Sequence, residues 1–488
     1  MEKKLLALLL YTAATFFTPH LLAQSLDRSA LPKDYFSLIP SERLHESLDS
    51  AVFLLETVHP NCYATTPKAA FQQSVSDVRS MLTKPLTRQQ FAALLTPLVA
   101  GLNCGHTFIY YRSDFAAYRD GGGRLFPFDV DVLDNRLFIK RNYSDNSQLA
   151  SGLEISAING ITAKKIINDL TRNQSDELAV RKTVSAATTF RREVFNTYQW
   201  GAVFTLNVKK YNEAQTMTYS VSGVTNARLS ERKKQLDSLE SSKIYSYKEL
   251  PNRIGYLEIN GMVSPDNRPA FLTFLKESFG QMKSRGIQSL IIDVRKNAGG
   301  DSQTGDCLID YLTDKPWTQF GKSEVYACDY VKREYGKEKY TAYFGPDAWL
   351  APDDSMIVYD HQPEDDVKPN INPIRFNGKK YLLVSPFTFS SAYSFTTALK
   401  AYHIATLVGQ EAGGAYGGYG QCYITKLLNA DIELWIATKR FFPPFIAGQI
   451  AGKALMPDYY VPQTVDDLMQ NKDATLDFAL RLIAKEGK

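Results

Sequence analysis

At 488 residues the chain exceeds what one hydrophobic core organises, so two or three domains are expected. Its 44% hydrophobic and 22% charged residues exclude long disordered tracts. A formal net charge of +4, with no clustered stripe of Lys and Arg, excludes a nucleic-acid reader as the first reading. Lys3 and Lys4 precede the apolar run "LLALLLYTAATFF", and small Ala23 closes "LLAQS". That order predicts a signal peptide over residues 1–23 and an exported chain, periplasmic or secreted. A membrane anchor is the competing reading, but Thr12, Thr15, Thr18, Pro19 and His20 dilute the run and no stop-transfer charges follow. No later segment reaches 18 uninterrupted apolar residues, so no membrane span is expected in the mature chain.

Residues 24–115 read as a helical cap. "SERLHESLDSAVFLLETVHP" places Leu44, Leu48, Val52 and Leu55 at near-helical spacing with Ser41 as a plausible cap, and "TRQQFAALLTPLVAGL" repeats the pattern. Between 116 and 225 the texture changes to strands. "GGGRLFPFDVDVLDNRLFIKRNY" alternates with a short turn at "LDNR". "GLEISAINGITAKKIINDL" gives a strand, an Asn159-Gly160 turn and a helix, and "TLNVKKYNEAQTMTYSVSG" a closing hairpin. This order resembles a PDZ domain, with "LEISAING" at that family's "ILxINGxxV" segment and "DELAVRKTVSAATTFRREVFNTYQWG" as a helical insertion. Polar residues 226–252 read as a linker or solvated helix.

Residues 253–488 read as α/β. "IGYLEIN", "SLIIDV", "YLLVS" and "ATLVG" are apolar runs separated by helices, the signature of a parallel sheet covered on both faces, and the hairpin "ITKLLNADIELWIATKRF" follows. The five cysteines Cys62, Cys104, Cys307, Cys328 and Cys422 include no CxxC pair, so neither a zinc site nor a redox dithiol is suggested. Cys62 and Cys104 could bridge, or remain buried thiols.

Two loops carry candidate chemistry. Gly299 and Gly300 follow the strand ending at Asp293-Val294, where glycines let backbone N–H groups approach a ligand. "YLLVSPFTFSSAYSF" is a strand, a turn and a helix whose first turn holds Ser390 and Ser391. Serines at a helix start commonly cap it, but such a turn also projects Oγ beside N–H groups that can hold an oxyanion.

Together, "LIIDVRKNAGG", "TFSSAYSF", "ATLVGQEAGGAYGG", the ending "LMPDYYVPQTVDDLMQNKDATLDFALRLI" and the upstream "GLNCGHTFI" resemble the C-terminal-processing, or tail-specific, serine peptidase family. The resemblance implies a ClpP/crotonase-like catalytic core with an N-terminal helical cap and an inserted PDZ-like domain. It implies Ser390 as nucleophile, with the backbone N–H groups of Gly299 and Ser391 as oxyanion hole and Gly300 as the alternative donor. Many members use a Ser/Lys dyad, whereas Ala415 stands at the Lys position here, and Tyr393 replaces the usual Glu. The tricorn-like and retinoid-binding-protein-like branch takes its base from a His that corresponds to His106, and a His suits that role at neutral pH. The third catalytic acid has no counterpart, because its place falls near Ala451; Glu411 is the nearest acid in a neighbouring loop. The resulting expectation is an exported endopeptidase acting on peptide or protein substrates without cofactor or metal. The rivals are an inactive member that binds peptides or apolar ligands, and a PDZ-led scaffold.

Overall fold

The computed structural model describes residues 26–236, 243–444, 446 and 448–487; the expected signal segment lies outside them. The structure is mixed α/β and divides into two compact units. Among the described residues no helix is long and apolar enough to cross a membrane.

The smaller unit comprises described residues up to Phe36, Tyr111–Leu170 and Ala187–Leu236. Its antiparallel sheet takes Phe128–Leu133, Arg136–Asn142, Glu154–Ile158, Val203–Lys209 and Met217–Ser222 in that spatial order. The "LDNR" turn has Asp134 and Asn135 at φ 49° and 57°, and Asn159-Gly160 follows at 49° and 79°. Both are two-residue turns whose positive φ angles match the strand twist, which short polar side chains and glycine tolerate best.

The larger unit gathers Ser37–Tyr110, Thr171–Ala186 and Asp237–Lys488. It opens with helices α1 (Ser41–Val58), α2 (Lys68–Met81) and α3 (Arg88–Ala100), followed by the short strand β1 (Phe108–Tyr110). Ser41 does not cap α1: Pro40 holds that position, and the Ser41 hydroxyl donates to the Leu82 carbonyl instead. Helix α3 does carry a capping box, in which Thr87 and Gln90 satisfy each other's backbone N–H groups.

The main sheet is built from β2 (Tyr245–Leu250), β3 (Ile254–Ile259), β4 (Ser289–Asp293), β7 (Lys379–Val384), β8 (Thr406–Gly409) and β13 (Tyr459–Tyr460), in that order. From β3 onward the neighbours are parallel, and β2 pairs antiparallel at the edge, so the stretch read as a linker supplies an edge strand. Alternate residues divide the two faces. Leu290, Ile292, Leu382 and Val384 pack with Phe271, Leu275 and Phe279 of α4 (Arg268–Arg285) and with Ala392, Phe395 and Leu399 of α5 (Ser391–Ala401). Ile291, Tyr381 and Leu383 pack against Ala479 and Leu482 of α6 (Ala474–Glu486). Burial on both faces is why these strands read as unbroken apolar runs. Helix α4 stops at Gly286, whose φ of 63° is the left-handed ending a glycine accepts at no steric cost.

A second sheet takes β6 (Ser355–Asp360), β5 (Lys322–Ala327), β11 (Glu433–Phe442) and β10 (Gly418–Lys426). Strand β1 pairs antiparallel with β11, Trp435 opposite Phe108 and Glu433 opposite Tyr110. The aromatic faces of Phe108 and Tyr110 stack on Trp435 at 5.2 and 5.5 Å, so an N-terminal segment is fixed to a C-terminal strand. A short pair, β9 (Ala412–Ala415) with β12 (Ala454–Leu455), completes the unit.

Candidate active site

Strand β7 ends at Val384, and the chain turns through Ser385–Phe389 before α5 begins at Ser391. The turn is pinned to the end of β4. Thr388 Oγ1 donates to the Val294 carbonyl at 2.9 Å, Ser385 Oγ donates to the Arg295 carbonyl at 2.7 Å, and Phe389 N–H donates to the Asn297 carbonyl at 3.1 Å. Ser390 sits at the helix N-cap with φ 54° and ψ −128°, a conformation an L-residue holds only when its surroundings enforce it. Its side chain gives no capping hydrogen bond, so the hydroxyl is left for other work.

That hydroxyl meets an imidazole. Ser390 Oγ lies 3.0 Å from His106 Nε2, although 284 positions separate the two in sequence. The chain at His106 is anchored by two bonds: Cys422 Sγ donates to the His106 carbonyl at 3.2 Å, and Oγ1 of the next residue, Thr107, accepts from Ala437 N–H of β11 at 3.1 Å. The ring stacks on Phe389, centroids 4.9 Å apart at 22°. Among the described residues Nδ1 is buried without a hydrogen-bond partner, and the Tyr419 backbone is a polar group near the ring. Burial pushes the His106 pKa down to about 4; the Arg181 charge adds to the fall and the Tyr419 backbone opposes it. The imidazole is therefore neutral at pH 7, and a proton on Nδ1 leaves Nε2 as the acceptor facing Ser390.

The expected oxyanion donors are differently engaged. Among the described residues the Ser391 N–H, first in α5, has no backbone partner, and it points from a helix N-terminus. Gly299 N–H donates to Asn297 Oδ1 at 2.9 Å, and the buried Asn297 is itself anchored by donating to the Ile259 carbonyl at 3.1 Å. Gly300 is tied by both backbone groups to the Ser391 hydroxyl. Gly299 has φ 105°, and a Cβ there would stand 2.6 Å from Ser390 Cβ, so only glycine lets this loop lie against the serine.

Charges missed by the sequence reading surround this pair. Residues 176–186, the first part of the stretch read as a helical insertion in the PDZ-like domain, belong to the larger unit. Arg181 Nε donates to Asp176 Oδ1 at 2.8 Å in a buried ion pair, and its guanidinium lies 3.8 Å over the Phe389 ring. Glu177 Oε1 accepts Gly105 N–H at 3.1 Å. No motif spacing marks these three residues, because their proximity is made by chain crossing rather than by local periodicity.

A family comparison fits this geometry: residues 253–461 match peptidase family S41. The chain carries a peptidase family S41 domain. Solved structures share the fold over nearly the whole chain. Mature CPAF complexed with lactacystin aligns at TM-score 0.63 and 15% identity, covering 90% of this chain and 98% of that one. Mature CPAF gives 0.62 and 15%, over 92% and 99%, and a CPAF s499a mutant gives 0.61 and 14%, over 88% and 95%. No curated protein sequence matches.

Within this S41 domain, Ala415 in β9 offers no amine at the position where many members carry Lys. Burial lowers the pKa of Lys439 to about 8, but its ammonium lies over the Phe344 ring. Tyr393 packs its ring against Gly414 and accepts a 3.0 Å hydrogen bond from Gln449 Nε2. Glu411 makes no bond to His106, and among the described residues its buried Oε2 has no partner. All five cysteines are free thiols; Cys104 Sγ meets His59 Nε2 at 3.4 Å rather than Cys62. Among the described residues no three His, Cys, Asp or Glu side chains cluster as a metal site.

Proposed function

We propose that this chain is an exported serine endopeptidase with Ser390 as nucleophile and His106 as its base, of the tricorn-like rather than the Ser/Lys type. The observation that carries the reading is the 3.0 Å contact between Ser390 Oγ and His106 Nε2. In this mechanism Ser390 Oγ attacks a peptide carbonyl carbon and its proton passes to Nε2. The negative oxygen of the tetrahedral adduct takes the Ser391 N–H at the head of α5, with the Gly299 N–H turning from Asn297 Oδ1 to share the load and Gly300 as the alternative. His106 then gives its proton to the leaving amine, and water repeats the sequence on the acyl-serine. The domain reading is a cap over residues 24–115, a PDZ-like domain over 116–225, a connecting stretch over 226–252 whose end supplies β2, and a ClpP/crotonase-like core over 253–488. The antiparallel sheet of the smaller unit, with helix Ala163–Arg172 after its third strand, supports the PDZ-like assignment. Peptide capture there would use strand addition.

A fluorophosphonate probe tests this directly on the exported protein. Wild type is expected to label and to cleave an unfolded model protein such as casein, Ser390→Ala to do neither, and the exported chain to begin at Gln24. A folded wild type that neither labels nor cleaves would instead favour a binding protein that kept the fold, for which the unorientated Nδ1 of His106 is the supporting feature.

A further inference from the structure

No acid stands where the family resemblance places the residue that orients the base, since Ala451 occupies that region. The larger unit brings a different carboxyl to the turn that carries His106. Glu177 Oε1 accepts the Gly105 N–H at 3.1 Å, one peptide before His106, while Oε2 is buried without a partner among the described residues. A Cβ on Gly105 would stand 3.0 Å from Glu177 Oε2, 3.1 Å from Asp176 Oδ1 and 2.6 Å from the Phe389 ring, so the carboxyls and the ring close directly on this turn. The same segment grips the nucleophile loop. Arg181, paired with Asp176, donates to the Phe387 carbonyl at 3.1 Å and covers the face of Phe389, the ring on which His106 stacks.

Resting on the serine-peptidase reading, we propose that Glu177 is the positioning residue for His106: its carboxyl fixes the Gly105–His106 turn and supplies the negative charge that offsets the imidazolium formed during catalysis. A charge is needed there because the neighbouring Arg181 disfavours protonation of His106. Burial first, and the Asp176 charge second, push the Glu177 carboxyl up to about 7, so it ionises across neutral pH. The groups facing it are Asp176, Arg181 and Lys182 on its own segment, and Cys104, Tyr393, Tyr419 and the His106 turn from the elements packed against it. The thiol and the phenols have pKa values raised by burial and stay neutral through this range, leaving Glu177 as the member expected to titrate near 7.

The test compares wild type, Glu177→Gln and Glu177→Ala by fluorophosphonate labelling rate, by kcat and KM on a cleaved peptide between pH 5 and 9, and by thermal melting. Glu177→Gln keeps an acceptor for Gly105 but loses the charge. It is expected to lower kcat about tenfold with KM within about twofold, and to abolish a rise in wild-type kcat through about pH 7. Glu177→Ala, which also loses the acceptor, is expected to fall about a further tenfold. Wild-type kcat and pH profile in Glu177→Gln would overturn the inference, and that variant decides alone if Glu177→Ala does not fold. Wild type that fails to label removes the peptidase reading itself; wild type and Glu177→Gln that label and turn over equally remove only the role of Glu177.

Discussion

Ser390 and His106 each depend on a local conformation that costs free energy in isolation. The serine holds a positive φ at the entrance of a helix, and the imidazole is packed where its cation is disfavoured. Hydrogen bonds from Thr388 and Ser385 to the end of β4 enforce the first, and the stack on Phe389 enforces the second. The lowered His106 pKa has a kinetic consequence. A proposed base that is neutral down to about pH 4 stays competent through the range in which an ordinary histidine becomes protonated. The final acid limb of kcat/KM is therefore expected near pH 4, measured between pH 3.5 and 8 with labelled serine used to count folded sites. A final limb at 6.5 would show that the ring is solvated in the free enzyme. The motif "GHT" was enough to single out His106, but nothing in the sequence distinguished the free Ser391 N–H from the engaged N–H of Gly299, since that depends on where the Asn297 amide points.

At the scale of elements, the "LIIDVR" run combines two tasks. Its apolar residues build β4, while its Asp and Arg join the sheet to the last helix. Arg295 reaches Asp293 Oδ2 at 2.6 Å and Asp473 Oδ1 at 2.6 Å, and Tyr256 OH donates to Asp293 Oδ2 at 2.6 Å. Asp473 also caps α6 by accepting Leu476 N–H at 3.0 Å. Burial would raise the pKa of Asp293, but the Arg295 charge and these hydrogen bonds outweigh it and hold the carboxyl below its ordinary range. Arg295→Met would strand a buried carboxylate, and a loss of about 3–5 kcal/mol is expected in urea unfolding. Asp293→Asn combined with Arg295→Met should recover part of that loss, because it removes the buried carboxylate and leaves unpaired only Asp473, which is partly exposed. The core strands and helices were legible because unbroken apolar runs and helical spacing are local properties. The edge strand β2 was not: its residues are half-buried or exposed rather than buried, and its polar residues read as a linker.

In the larger unit an N-terminal helix meets a C-terminal strand at a group that can change charge: the His59 ring lies 4.7 Å from that of Tyr419 in β10. His59, at the C-terminal end of α1, is buried. Its Nδ1 accepts the Asn61 N–H at 3.0 Å, which leaves Nε2–H to face Cys104 Sγ. Desolvation lowers its pKa to about 4, so the native state stays unprotonated where an unfolded histidine, near 6.5, takes up a proton. The unfolded state then binds more protons between pH 6.5 and 4, and this residue's contribution to stability is lost as pH falls through that window. His59→Gln removes the titration. The stability advantage of wild type over this variant should shrink by on the order of 3 kcal/mol from pH 7.5 to 4 in paired urea titrations. A pH-independent difference would place His59 in contact with water.

By itself the sequence determined the apolar runs of the main sheet, the turns at Asp134-Asn135 and Asn159-Gly160, and the two short motifs that hold Ser390 and His106, because each is written in neighbouring residues. Only the tertiary structure decided that the segment carrying Asp176, Glu177 and Arg181 closes on the His106 turn, and which backbone N–H groups remain unengaged. Those outcomes arise from chain crossings and side-chain rotations between residues far apart in sequence, where neither spacing nor periodicity leaves a mark.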